Sequence, residues 1–295
     1  MLKRYFINNI LKMTLFAGVL LLICIYPKNN KYNLDTKHVS GTNYHDIFLI
    51  DKNNYVSKTT IAVSSIENKK LAFDLITSLI IDSKNKSKIP NNFKGIIPKG
   101  TNIQKITIDN TYLIISFDDN ILKTNNKEKM LECIVYTLTS IKNISHIKIL
   151  VNEKENDFFD KEYTREIGVN KMYDLTSFED INCITLYYVS NNDDKNYFIP
   201  VTKYINNKED KIKIIIDELA SSSSYQSNLM SYLNYDTKLI NYNIEDQELY
   251  LYFNDAIINK ADDKILEEVI YSISYSIKDS IYVNNIHFFV NDKEF

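Results

Sequence analysis

Residues 106–122 read ITIDNTYLIISFDDNIL, and residues 242–258 read YNIEDQELYLYFNDAII. Five positions match in register at a constant spacing of about 136 residues: Ile108/Ile244, Leu113/Leu249, Phe117/Phe253, Asp119/Asp255 and Ile121/Ile257. In the first stretch a polar pair, Asp109-Asn110, separates two runs of alternating apolar residues, the pattern of a hairpin, and the second stretch keeps the same apolar positions. The same amphipathic hairpin occurring twice points to an internal duplication, which decides the fold before any other feature does.

Working outward, the flanking segments repeat as well. In the first copy, Ile47–Ile50 and Thr59–Val63 read as strands. Leu71, Leu75, Ile76, Leu79 and Ile80 mark one face of a helix over 69–81. A loop with Pro90, Gly95, Pro98 and Gly100 leads into the strands 103–108 and 112–117. A helix follows over 127–141, with Leu131, Ile134, Val135, Leu138 and Ile141 on one face, then a strand over 146–151. The second copy repeats this order: strands at 184–189 and 197–204, with Pro200 at a strand edge or bulge, and a helix at 209–220. An extra turn at 225–233, strands at 239–244 and 248–253, a helix at 262–278 and a strand at 286–290 complete it. Val-Asn closes both copies, at Val151-Asn152 and Val290-Asn291. The expected fold is α+β: two tandem two-layer domains, each a small mixed sheet with two helices on one face in the order β-β-α-β-β-α-β. Their bounds are 46–153 and 182–295, joined by a connector over 154–181. The connector's apolar residues Phe158, Phe159, Ile167, Val169, Met172, Tyr173 and Leu175 favour packing over floating.

The ends of the chain carry different information. Lys3, Arg4 and Lys12 precede the apolar run of residues 13–26, and Lys28 and Lys31 follow it. This is the charge pattern of an export signal, with no small-residue cleavage site after it. Residues 1–26 therefore read as an uncleaved signal anchor and 27–45 as a polar tether, which places the chain in the cell membrane by a single pass with its bulk extracytoplasmic. The alternative is lipid attachment at Cys24, although Leu21-Leu22-Ile23-Cys24 puts Ile where a lipobox has a small residue.

Composition excludes more than it selects. A net charge of −3 from 35 basic and 38 acidic residues argues against nucleic acid as a partner. Cys24, Cys133 and Cys183 show no metal-ligand or redox spacing, and Cys133, mid-helix, is poorly placed to pair with Cys183. No phosphate-binding, nucleophile-elbow or metalloprotease motif occurs. His146 and His287, near equivalent positions of the last strand in each copy, read as structural residues rather than paired sensors. Asp118-Asp119 and Glu267-Glu268 diverge in direction and do not form an acid–base couple. Asp119 and Asp255 fit a turn or cap. Ser221–Ser224 is a polar loop without a base. Tyr187-Tyr188, Tyr250 and Tyr252 fit either a binding groove or half-buried strand positions. Arg165 and Gly168 fit either interdomain packing or a partner site, with packing as the default. The sequence indicates no catalytic residues, no metal and no cofactor.

Several stretches resemble the GerM domain of the sporulation and spore-germination family. They are Tyr187-Tyr188-Val189-Ser190 and Tyr197–Lys203 of the opening hairpin, Ile97-Pro98-Lys99-Gly100-Thr101, and Ile134–Thr139 with its echo Val269–Ser274. The connector segment Tyr163–Lys171 is also similar to the segment between tandem copies. The resemblance covers about residues 46–291. It departs from the family where the first copy has Thr60 opposite Pro200, and where the second has Asn234-Tyr235-Asp236-Thr237 in place of the Pro-x-Gly-Thr turn. It implies a non-enzymatic, membrane-tethered scaffold whose partners are proteins of the sporulation envelope complex. Ring-like homo- or hetero-association is implied by likeness to ring-building modules. The other readings are a sensing or accessory protein that binds a cell-wall-derived ligand, and a cell-wall hydrolase.

Overall fold

Alternating apolar residues make two hairpins, and those hairpins meet. In β1 (Asn43–Asp51) and β2 (Val56–Val63) the side chains of Ile47, Leu49, Ile61 and Val63 are buried. The computed structural model describes residues 43–171, 181–192, 195–206, 209–221 and 229–295, which lie in one compact unit. The expected anchor, Cys24 and most of the tether fall outside the described residues.

The first copy continues through α1 (Asn68–Leu79), β3 (Phe93–Lys94), β4 (Ile103–Asp109), β5 (Tyr112–Phe117), α2 (Lys127–Leu138), β6 (His146–Val151) and β7 (Glu162–Tyr163). The second runs β8 (Ile181–Asn192), β9 (Lys195–Asn206), α3 (Lys211–Ser221), β10 (Leu239–Glu245), β11 (Glu248–Phe253), α4 (Glu267–Ser280), β12 (Asn285–Val290) and β13 (Lys293–Glu294). The quoted stretches are the β4–β5 and β10–β11 hairpins. Ile108 pairs with Leu113 and Ile244 with Leu249, and a bulge falls at matching places, Ile103/Lys105 and Leu239/Asn241. After each hairpin a helix crosses over, so β5–β6 and β11–β12 pair in parallel, which a tight turn cannot achieve. Two residues with positive φ then reverse the chain, Asn152-Glu153 and Asn291-Asp292. Such a turn matches strand twist, and Asn tolerates the left-handed region better than most residues.

The mixed sheets are β4-β5-β6-β7 and β10-β11-β12-β13. The opening hairpins do not extend them: β3-β1-β2-β9-β8 is a third, five-stranded sheet shared by both copies. Pro200 accordingly lies in an interior strand rather than at a sheet edge. Beside it β2 and β9 share one residue pair, Lys58 and Phe198, so its missing N–H interrupts no long ladder.

The apolar helix faces are buried as their spacing requires, including Leu71, Leu75, Ile76 and Leu79 of α1 and Val269, Ile273 and Ile277 of α4. Three ends differ from expectation. Helix α1 stops at Leu79 because the carbonyl of that residue accepts the N–H groups of Ile96 and Ile97 instead of a next turn. Helix α2 ends at Leu138, and Ile141 stays buried from a turn. Helix α4 begins at Glu267, since Leu266 is extended. Of the turn expected at 225–233, residues 225–228 lie outside the described residues, and Met230 bridges to Val189 in extended form.

The strand-like crossing at Leu79 depends on Gly95. A Cβ there would lie 2.4 Å from the Leu79 carbonyl oxygen, a backbone atom that cannot swing aside. Gly95→Ala is expected to cost about 1–3 kcal/mol, read from the midpoint of urea unfolding. An unchanged midpoint would show that the crossing relaxes freely.

Candidate functional site: the seam between the copies

Where β2 and β9 splay apart, the connector fills the gap. The Thr202 N–H donates to the Val169 carbonyl at 2.9 Å, and the Val169 N–H donates to Thr202 Oγ1 at 2.9 Å. The Asn170 carboxamide then behaves like a peptide unit. Its oxygen accepts the Val56 N–H at 3.0 Å, and its nitrogen donates to the carbonyls of Val56 and Pro200, each at 2.8 Å. Strand β2 of one copy and strand β9 of the other are thus bridged through one side chain. Gly168, with φ +72°, feeds the chain into this position, and a Cβ there would approach Lys171 and Thr202 at 3.1–3.2 Å.

A charged cluster sits beside this bridge. Arg165 forms an ion pair with Asp279 of α4, while its Nε donates to Oγ1 of Thr139, just past the end of α2, at 2.9 Å. Its guanidinium carbon lies 4.8 Å from the centre of the Tyr136 ring. Asp279 also accepts from the Tyr187 hydroxyl at 2.6 Å. Burial opposes the charge of Arg165, but Asp279 and the neighbouring tyrosines outweigh it and raise the guanidinium pKa. Burial, with Asp279 adding to it, raises the pKa of Tyr187, which stays a neutral donor. On the other flank Lys58 of β2 lies 3.5 Å from the ring centre of Tyr275 in α4 and pairs with Asp46 at 2.9 Å. Phe198 stacks edge-on against Tyr271 and Tyr275.

Glu132 lies on α2 under the same connector, 2% exposed, accepting the Asn170 N–H at 3.2 Å. Burial pushes its carboxyl up to about 7, with Asn170 and Lys171 resisting.

Arg165 and Gly168 therefore take the packing role, whereas the other candidates are scattered. Asp119 and Asp255 each open a 3-10 turn and accept from the asparagine that closes their copy, Asn152 at 2.7 Å and Asn291 at 2.6 Å. The capping itself falls to Asp118, which accepts from the Asn120 N–H. His146 stacks on Tyr112 and His287 on Tyr250, two register positions apart rather than equivalent. His287 also meets Glu294 at 2.7 Å and Glu248 at 3.1 Å, and these hydrogen bonds, Glu294 first, raise its pKa. Tyr252 stacks on Phe289, so the outer-face tyrosines of β11 lie against rings of β12. Glu268 accepts from Asn196, and Ser221 donates to the Glu218 carbonyl. Cys133 and Cys183 are both free. Among the described residues no group of His, Cys, Asp and Glu could hold a metal ion, and no helix is long and apolar enough to cross a membrane.

Sequence reasoning missed Asn170, Asp279, Lys58 and Glu132. Only Glu132 carried a signal, an acid between Leu131 and Cys133 in an apolar helix run.

Two copies of a hairpin–helix–hairpin–helix unit, fused through a common sheet with an arginine-clamped seam, define a tandem α+β domain protein. The family model for sporulation and spore germination, the Germane domain, matches residues 46–157 and 185–295. The chain belongs to that family. It is 29% identical over 272 residues to spore germination protein GerM of Bacillus subtilis (strain 168), an alignment covering 86% of this chain and 73% of the relative. The solved tandem GerMN domains of the sporulation protein GerM from Bacillus subtilis superpose with a TM-score of 0.77 at 26% identity, covering 85% of this chain and 92% of that one. The role of this chain lies in sporulation and germination.

Removing Arg165 leaves Asp279 under Tyr187 without its cation. Arg165→Ala should cost about 2–3 kcal/mol in urea unfolding, and Arg165→Met with Asp279→Leu should recover most of that loss. A cost near zero would make the clamp ornamental.

The Glu132 proton is held more tightly by the folded chain than by the unfolded one, where a glutamate titrates near ~4.3. Stability is therefore fully present below that value and is lost as pH rises through about 7. Glu132→Gln should equal wild type near pH 4 and exceed it at pH 8.5, by on the order of 3–4 kcal/mol at ~1.36 kcal/mol per pKa unit. Parallel pH profiles of the two proteins would refute the assignment.

Proposed function

We propose that this chain is a non-enzymatic, membrane-anchored extracytoplasmic scaffold that supports assembly of an envelope-spanning complex during sporulation or germination. The observation that carries the reading is the seam: the five-stranded sheet and the Asn170 bridge join two copies of one module so that both offer their surfaces to a partner together. An enzyme needs side chains converging on a reacting atom. Here Asp119, Asp255, His146 and His287 are each engaged by a turn asparagine or a stacked tyrosine. Membrane attachment through residues 1–26 would hold the module at the surface where its partners assemble, and fused copies favour ring-like association with them or with further copies.

A fluorescent fusion of the full chain, followed through the growth cycle of its host, tests this. Recruitment to the septal or engulfing membrane only during spore formation is the expected result. Uniform membrane signal in growing cells would overturn it.

A further inference from the structure

One side of the first copy carries a groove that the duplication does not require. It runs between α1 and β4 and on around the loop that crosses Leu79. Three clefts of about 440, 490 and 390 Å³ join through shared residues, Phe73 and Ile103 at one junction, Ile81 and Lys99 at the other. Phe73 and Ile81, 38% and 41% exposed, give these clefts an accessible apolar floor. Around that floor stand eight lysines and two carboxylates, Glu67 and Asp82, in a chain whose net charge is −3. Lys99 pairs with Asp82 and Lys105 with Glu153. Lys69, Lys70 and Lys94 make no ion pair among the described residues, and Lys84 lies 5.6 Å from the Phe73 ring centre. Strand β4, on one wall, is the outer strand of its sheet, so its outward backbone groups have no strand partner.

In the second copy the matching place is crossed by a side-chain bridge. Tyr242 occupies the register of Ile106, and its hydroxyl reaches across to Asp210 at the start of α3, at 3.0 Å. The first copy has no such bridge, since Ile106 stands at that register.

We infer that this groove docks an extended segment of a partner protein in which acidic residues flank apolar anchors. The segment's backbone pairs with β4, its apolar side chains enter the clefts over Phe73 and Ile81, and its carboxylates meet the lysines. Charge complementarity selects an acidic occupant. The clefts suit side-chain anchors rather than a bilayer, which needs a continuous projecting apolar face. A nucleic acid would call for a row of aromatic faces, and the groove has Phe73 alone.

The inference rests on the scaffold reading and names the chemistry of one partner. It is tested apart from that reading: a titration reports the groove alone, whereas the fusion's location reports assembly. The probe is a labelled synthetic peptide of about 12 residues alternating Asp or Glu with Leu or Phe, long enough to span β4 at ~3.3 Å per residue. It is titrated into the full chain while amide exchange of β4 is followed. Saturable binding that protects β4, weakens with salt and falls at least ~10-fold in Lys70→Glu/Lys94→Glu and in Phe73→Ser is the expected result. Both lysines are exposed and unpaired, and an unchanged melting temperature confirms that the variants fold. Binding equal in the variants, equal binding by polyglutamate, or no peptide binding would overturn the inference. Capture by phosphatidylglycerol vesicles in place of peptide would overturn it in favour of a membrane surface.

Discussion

Wherever two strands laid side by side part company, their buried backbone groups need other partners. In this protein β2 and β9 meet at Lys58 and Phe198 and then part. The backbone groups exposed by that parting would be buried without partners, a cost of roughly 1–3 kcal/mol each. The Asn170 carboxamide takes up Val56 and Pro200, and the Val169 carbonyl takes up Thr202. Fusion of the two copies hangs on this substitution of a connector for a missing strand. The positive φ of Gly168 and Asn170 delivers the carboxamide there, and the Arg165 clamp draws α2, α4 and the connector together beside it.

The copies have kept what their own backbone demands and diverged where they touch each other. In both, the second helix places a hydroxyl under the outer strand of the opening hairpin. Thr137 accepts the Phe48 N–H at 3.0 Å, and Ser276 accepts the Tyr187 N–H at 2.8 Å. Asp119 with Asn152, and Asp255 with Asn291, fasten the end of each parallel strand to the turn after the hairpin. One turn further along the helices the likeness stops. Ser140, in the turn after α2, donates to the Asp46 carbonyl, while the matching residue, in α4, is Asp279, which faces Arg165. The asymmetry at the seam arises from changes at single helix positions on an otherwise duplicated frame.

Divergence on the outer surfaces bears on function. The second copy spends its outer sheet face on stacked aromatic pairs, Tyr250 with His287 and Tyr252 with Phe289. The matching residues of the first copy, Ile114, Lys148, Ser116 and Leu150, do not stack. The first copy instead leaves a lysine-rimmed groove open where the second is bridged by Tyr242 and Asp210. Two modules with one frame thus present two chemically distinct surfaces.

The sequence by itself determined the duplication, the order of elements and the buried faces. All of these follow from local periodicity, which a chain displays whether or not it is folded. Leu113, Phe117, Leu249 and Phe253 could be assigned to the core from spacing alone, and Asp119 and Asp255 to turns from their position after a strand. Only the tertiary structure decided that the opening hairpins leave their own sheets and join one another. It also decided that Asn170 replaces a ladder, that Arg165 finds Asp279, and that Glu132 is buried near a neutral pKa. Those contacts link residues 30 to 114 positions apart. No short-range pattern encodes them, because the strand twist and helix packing that bring the partners together exist only once the chain has folded.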